Sequence, residues 1–371
     1  MDKRTSLFRH KHPYDLQGTE QLFVEAMAQN AQFQYANCDD YRRICQMQGV
    51  DVNNIRTMDD VAKLPVLPTL YFKHHELFSM PAERLLIKAT SSGTSGKMSK
   101  IGFDTRSLLH GLSMVLRVGR FHRLLSLIPC HYIILGYQPT RQNQTAFSKT
   151  GYGFTFMAPA LSRTYALVWK DGKYELNIEG LKKQLRRCGR SLFPTRTIGF
   201  PAYTHMLLSQ LKAEGISMTL PRGSKITMGG GWKQFYAQRV EKEVLYQLAW
   251  EVLGIPETDC VEFFGAVEHP ILYTTCEKHH FHIPVYSRVI IRDPDTLAPV
   301  PHGTVGLVNL LSPMTMSMPI LSVMTDDLGV IREDCGCGIG SPYLEIIGRV
   351  GVRDITTCAA GADQMLKEVG P

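Results

Sequence analysis

Between Leu85 and Phe264 short apolar runs alternate with longer segments whose apolar residues recur at helical spacing; beyond about Tyr273 only short β-type runs remain. That switch constrains the fold more than any other feature. Strands separated by helices pair in parallel, because the crossover helix returns the chain to the same end of the sheet, whereas short runs divided by turn residues make a mostly β layer. In the alternating stretch Leu85–Lys88 and Ile101–Phe103 are strand candidates, Ser107–Leu127 a helix and His131–Leu135 a buried strand. The later runs are Ser287–Arg292, Thr304–Leu311 and Gly329–Arg332, divided by Asp293-Pro294-Asp295 and Pro301-His302-Gly303. Ahead of them, Thr19–Ala36 and Asp39–Gln48 carry helix-spaced apolar residues, Thr57-Met58-Asp59-Asp60 is a capped helix start, and Leu64–Thr69 is too proline-rich for either regular element. Four segments follow: 1–80 mainly helical, 81–272 α/β, 273–348 β-rich, and 349–371 a short mobile tail.

With 371 residues, 44% of them hydrophobic and 20% charged, the chain can bury its own core without disulfides. The net charge of +7 is dispersed. Its densest cluster, Lys182, Lys183, Arg186 and Arg187, lies on a helix-like segment and reads as a solvated face rather than a nucleic-acid patch. The excess suits an anionic nucleotide or an acidic partner. Met1–Tyr14 lacks an apolar signal core, and the run Leu124–Tyr137 is too short to span a bilayer and is broken by Pro129 and His131, so a cytoplasmic protein without membrane insertion is expected. Nine irregularly spaced cysteines are then reduced thiols, metal ligands or nucleophiles.

Ser91-Ser92-Gly93-Thr94-Ser95-Gly96 is the first chemical motif. Small hydroxyl residues and glycines between two strands can turn backbone N–H groups and hydroxyls onto phosphate oxygens, with Lys97 and Lys100 adding charge. Composition alone would equally allow a flexible turn, and the Walker pattern is absent. The run Ser91–Lys100 resembles the phosphate loop of the adenylate-forming superfamily of acyl-CoA synthetases, peptide-synthetase adenylation domains and luciferases. Ser99 stands where that family usually places a lysine. Further resemblances follow in the same order along the chain: Gly229-Gly230-Gly231-Trp232-Lys233 for the glycine-rich segment beside adenine, Phe264-Gly265-Ala266-Val267-Glu268 for the aromatic-Gly-x-Thr-Glu motif, Thr325-Asp326-Asp327 for Thr-Gly-Asp, and Gly348-Arg349 near the hinge. The resemblance implies ATP and Mg²⁺ as cofactors, with Glu268 helping to hold Mg²⁺, Asp327 on the ribose hydroxyls and Lys100 catalytic. Val267 cannot supply the family's hydroxyl. It also implies the large-domain architecture of these enzymes, layered α/β subdomains plus a β-rich one. Only twenty-two residues follow Arg349, so the family's mobile C-terminal domain is expected to be largely absent.

Cys358 lies nine residues beyond Arg349 in a tail of small residues, where a thiol could swing to an activated acyl group. With Leu64–Thr69, Phe72-Lys73 and Leu328-Gly329, this arrangement resembles the LuxE-type acyl-protein synthetases, relatives of the phenylacetate-CoA ligases. The implied activity is ATP-dependent conversion of a carboxylic acid, in that family a fatty acid, to acyl-AMP, then transfer to Cys358 as a thioester for a reductase or another acyl-accepting protein. Two other readings stay open: a stand-alone ligase passing its acyl group to coenzyme A, a carrier protein or an amine, and a non-catalytic nucleotide-binding subunit. Cys276 and His282, with His279 and His280 between them, and the later pair Cys335 and Cys337 also form a set that could hold a structural Zn²⁺ tetrahedrally. A similar pattern occurs in phenylacetate-CoA ligase relatives. Hairpin turns with free thiols are the alternative.

Overall fold

The computed structural model describes residues 2–90, 99–140, 146–230, 232 and 239–349. These form two compact units, one from 2–90, 99–122 and 265–349 and the other from 123–264.

The first unit begins with helices α1 (Lys3–Phe8), α2 (Leu16–Asn37), α3 (Asp39–Met47) and α4 (Met58–Ala62). The expected start at Thr57 is a capping box: its hydroxyl accepts from the Asp60 amide and the Asp60 carboxylate accepts from the Thr57 amide. Within the proline-rich stretch Leu67–Pro68 does form a strand, β1, followed by the single turn α5 (Tyr71–His74). Strand order explains the exception: β1 lies parallel to Val323 and Met324 at the side of a sheet, where a proline without an N–H is tolerated. Strands β2 (Leu85–Thr90) and β3 (Lys100–Asp104) pair antiparallel as a separate two-stranded sheet, and α6 (Thr105–Phe121) follows directly. Asp104 caps α6 by accepting from the amides of Arg106 and Ser107. The helix stops at Phe121, short of the expected Leu127.

Beyond residue 265 the same unit contains β10 (His269–Thr274), β11 (Phe281–His282), β12 (Arg288–Arg292), β13 (Gly306–Leu311), β14 (Ser322–Arg332) and β15 (Tyr343–Arg349). Strands β11 to β15 form one sheet in the order β11-β15-β14-β13-β12, antiparallel along that path, with β1 parallel beside β14. Buried polar groups tie the early helices to these late strands. Asn30 donates to the carbonyls of Pro313 and Thr315, both at 2.9 Å, Arg4 donates to that of Met314, and the Arg288 guanidinium lies 4.5 Å over the Phe23 ring.

The second unit comprises β4 (Cys130–Tyr137), α7 (Ala146–Phe154), β5 (Ala160–Lys170), β6 (Lys173–Leu176), α8 (Ile178–Cys188), β7 (Thr195–Gly199), α9 (Pro201–Ala213), β8 (Lys225–Gly229), α10 (Lys242–Leu253) and β9 (Cys260–Ala266), where the chain passes back into the first unit. Among these residues the strand order is β9-β8-β7-β4-β5-β6, all parallel except β6. The α/β alternation therefore produces the parallel sheet it implied. Leu181, Leu185, Leu207, Leu211, Leu245, Ala249 and Val252 from three helices bury against Ile133, Leu135, Ile226 and Met228 of the strands. Gly254, at φ +64°, ends α10 in the left-handed conformation that glycine adopts without Cβ strain. Lys182 of the basic cluster is buried on α8, bonded to Glu179 and Glu214 at 3.0 and 2.6 Å.

Candidate functional site

In an open parallel sheet, ligands bind beyond the carboxyl ends of the strands, where backbone groups point outward. Two of the expected nucleotide segments sit there. Gly229 ends β8 in register with Phe263 on β9, so Gly229 and Gly230 lie at the same sheet edge as Phe264. Gly230, at φ +75°, turns the backbone sharply off the strand. Trp232 packs 5.7 Å from the His205 ring. Gly265 continues β9, and a Cβ there would lie 3.0 Å from the Ile271 carbonyl, so a side chain would have to displace backbone. The turn after β9 carries Glu268, whose residue is only 5% exposed. A carboxylate so placed needs a cation or hydrogen-bond donors, which fits the donor chemistry of Mg²⁺.

In the first unit, β14 and β15 bring Asp327 opposite Arg349. The Arg349 guanidinium lies 4.0 Å from the Asp327 carboxylate and 3.3 Å from Asp326. Burial raises the Asp327 pKa above the usual carboxylate range, and Arg349 opposes that shift. The Thr325 hydroxyl accepts from the Asp327 amide at 3.3 Å. Asp326 is a partner that motif matching passed over; register pairing is what reveals it. Lys100, at the start of β3, is exposed and ion-paired with Glu76, a second partner not evident from sequence. Ser99 is fully buried, so a lysine in its place would carry its stem into the interior. The phosphate loop Ser91, Ser92, Gly93, Thr94, Ser95 and Gly96, together with Gly231 and Cys358, lies outside the described residues.

The cysteine–histidine set converges. Ligand atoms of Cys276, His282, Cys335 and Cys337 all lie within 4.8 Å of one another. Cys276 follows β10, His282 ends β11, and the two later cysteines occupy the turn between β14 and β15, so β11–β15 pairing closes the cluster. Cys276 Sγ is 3.6 Å from Cys335 Sγ, and Cys337 Sγ is 3.2 Å from His282 Nε2. His282 Nδ1 donates to the Ser341 carbonyl at 2.6 Å in the tautomer that leaves Nε2 a bare acceptor toward the thiols. Burial raises both Cys276 and Cys335, the latter to about 12, and lowers His282. His280 stands next to the set rather than among the four: it stacks on Tyr343 at 4.2 Å and reaches Cys335 at 3.0 Å.

This architecture is that of the adenylate-forming ligases. A solved 2-hydroxyisobutyryl-CoA ligase with its acyl-adenylate superposes with a TM-score of 0.69 at 16% identity, covering 92% of this chain and 69% of that one. The chain belongs to the acyl-protein synthetase family LuxE, whose model matches residues 7–367. It is 26% identical over 360 residues to the long-chain-fatty-acid–luciferin-component ligase of Vibrio harveyi, covering 95% of this chain and 90% of that protein. The phenylacetate-coenzyme A ligase of Thermus thermophilus is 24% identical over 331 residues, covering 85% and 67%. The family resemblance drawn from the motifs thus holds across the chain.

Proposed function

We propose that the protein uses ATP to activate a carboxylic acid, of the fatty-acid class named for its Vibrio relative, and carries the acyl group on Cys358 for a reductase or other acyl-accepting partner. Membership of the acyl-protein synthetase family across residues 7–367 is the observation that carries this reading. The Asp327–Arg349 pair supports it from geometry, because a half-buried carboxylate steadied by a guanidinium is a fit acceptor for two vicinal ribose hydroxyls.

In the first step a carboxylate oxygen of the acid forms a bond to the α-phosphorus of ATP, and the bond from that phosphorus to the pyrophosphate oxygen breaks. Positioning and charge neutralisation carry such a transfer. Gly229, Gly230 and Phe264 would seat the adenine side, Asp327 and Arg349 the ribose, and the loop Ser91–Gly96 with Lys100 the phosphates. Glu268 would hold Mg²⁺, which when bound neutralises charge on the phosphate oxygens. In the second step the Cys358 thiolate attacks the acyl carbon, and AMP leaves with the electron pair on its phosphate oxygen, giving a thioester. We assign Cys276, His282, Cys335 and Cys337 a structural Zn²⁺: four protein ligands leave no open position for chemistry.

Intact-protein mass after incubation with ATP, Mg²⁺ and a panel of carboxylic acids tests the reading. An acyl adduct that hydroxylamine removes and Cys358→Ser abolishes is the expected result. Pyrophosphate release without an adduct would assign the acyl group to another acceptor. Absence of both with every fatty acid would overturn the proposal.

A further inference from the structure

Residues 105–170 contain no aspartate or glutamate, although the chain's average of 34 acidic residues in 371 would put about six there. The same stretch carries eight arginines and lysines. It also holds ten of the twenty-one exposed large apolar side chains among the described residues. Cationic charge with no acidic residue in the same segment, interleaved with exposed apolar groups, is the composition of a segment that meets an anionic apolar surface.

Helix α6 shows the arrangement within one unit. Its inner face buries Ser107, His110, Met114 and Val118, where the Thr5 hydroxyl meets His110 at 3.2 Å and Ser113 bonds the Phe8 carbonyl at 2.8 Å. An ordinary surface helix would be polar on the opposite side. Here that side is a second apolar stripe, Leu109, Leu112 and Leu116, exposed by 60%, 55% and 47%. Spacings of three and four residues align them along the crest, and Arg106, Arg117 and Arg120 border one edge of it. Arg106 also reaches Asp2 at 3.8 Å, and Arg117 is half-buried with its Nε 3.4 Å from the Ser113 hydroxyl, so Arg120 is the exposed charge nearest the crest.

We propose that the Leu109–Leu112–Leu116 crest of α6 docks the protein on an anionic phospholipid surface, with the leucines among the acyl chains and the arginines at the phosphates. The helix lies in the plane of the interface; no described helix is long and apolar enough to cross it. Charge argues against a second copy as occupant, since two such edges would oppose arginines without carboxylates between them.

Flotation of the full-length protein with phosphatidylcholine vesicles, with and without phosphatidylglycerol, tests this. Binding is expected only with the anionic lipid and is expected to weaken as salt rises. An exposed arginine contributes about fivefold at such a surface, so Arg120→Gln should weaken binding by about that factor. Leu112→Ser with Leu116→Ser should also reduce it at least tenfold, while circular dichroism stays unchanged because both leucines are exposed. Failure of the wild type to float with anionic vesicles overturns the proposal, as does undiminished flotation of folded variants. A concentration-dependent dimer that the leucine variant loses, seen without vesicle binding, overturns it in favour of self-association.

Discussion

Replacing Cys335 by serine tests the zinc assignment through its geometry. Tetrahedral Zn²⁺ with bonds of about 2.3 Å to sulfur and 2.0–2.1 Å to nitrogen sets sulfur–sulfur edges near 3.8 Å and sulfur–nitrogen edges near 3.6 Å. The corresponding separations are 3.6 Å for Cys276–Cys335 and 3.2 Å for Cys337–His282, with every donor pair inside 4.8 Å. Shifts of about 1 Å or less therefore complete the tetrahedron. Structural zinc contributes roughly 10–16 kcal/mol to small zinc-finger peptides. If losing one ligand costs only ~3 kcal/mol of that, a unit of this size should melt roughly 6–12 °C lower. The assay is zinc content by plasma mass spectrometry together with melting followed by circular dichroism, with and without a chelator. One zinc per chain in the wild type, a chelator-induced drop in Tm, and a Cys335→Ser variant that melts low and ignores the chelator are expected. His280→Ala should keep its zinc, because His280 stacks on Tyr343 outside the four-ligand set. Metal-free wild-type protein whose Tm is untouched by chelation would refute the reasoning.

Asp327→Asn should raise the KM for ATP roughly 10–100-fold, the worth of a hydrogen bond to a charged group, with little change in Tm; an unchanged KM in the pyrophosphate-release assay would remove Asp327 from the site. Burial lowers the pKa of His110 to about 4 and of His269 to about 3. Both are thus neutral when folded, and the unfolded chain alone takes up their protons. Stability should be complete above about pH 6.5 and fall toward pH 4 by about 1.4 kcal/mol per pH unit for each, read from urea midpoints; a flat profile between pH 6.5 and 4.5 would contradict that. Gly306→Ala should destabilise by roughly 1–3 kcal/mol, because its Cβ would lie 2.4 Å from the Arg292 carbonyl oxygen; equal denaturation midpoints would show that β12 and β13 can part cheaply.

The elements that could be read from sequence are those whose cause is local. Thr57 and Asp60 carry a helix start in their own side chains, and the helix–strand alternation up to Phe264 carries the parallel sheet. Strand β15 went unread because Tyr343–Arg349 lacks strict alternation and is defined by pairing with β14. That pairing also places Arg349 beside Asp326 and Asp327, through an irregularity between Leu328 and Gly329 that shifts the register. No pattern within one strand encodes such a shift. The thiol–imidazole set was legible because ligand spacing is itself local, a Cys-x5-His and a Cys-x-Cys. The Ser341 carbonyl that orients His282 could be found only in the folded chain. Lys100 illustrates the opposite case: its motif was plain, but its ion pair with Glu76 depends on where a distant loop comes to lie.

The bonds from Asn30 to the Pro313 and Thr315 carbonyls have a consequence for the order in which the protein is made. Residues 123–264 bury a core drawn entirely from contiguous chain, so they can fold as they leave the ribosome. Helix α2 cannot finish folding then, because its acceptors lie 283 residues downstream. At about 5–20 residues per second, its buried face waits roughly 15–60 s for them. During that interval Phe23, Met27 and Ala31 lack their final cover, leaving nascent α2 open to chaperones and proteases.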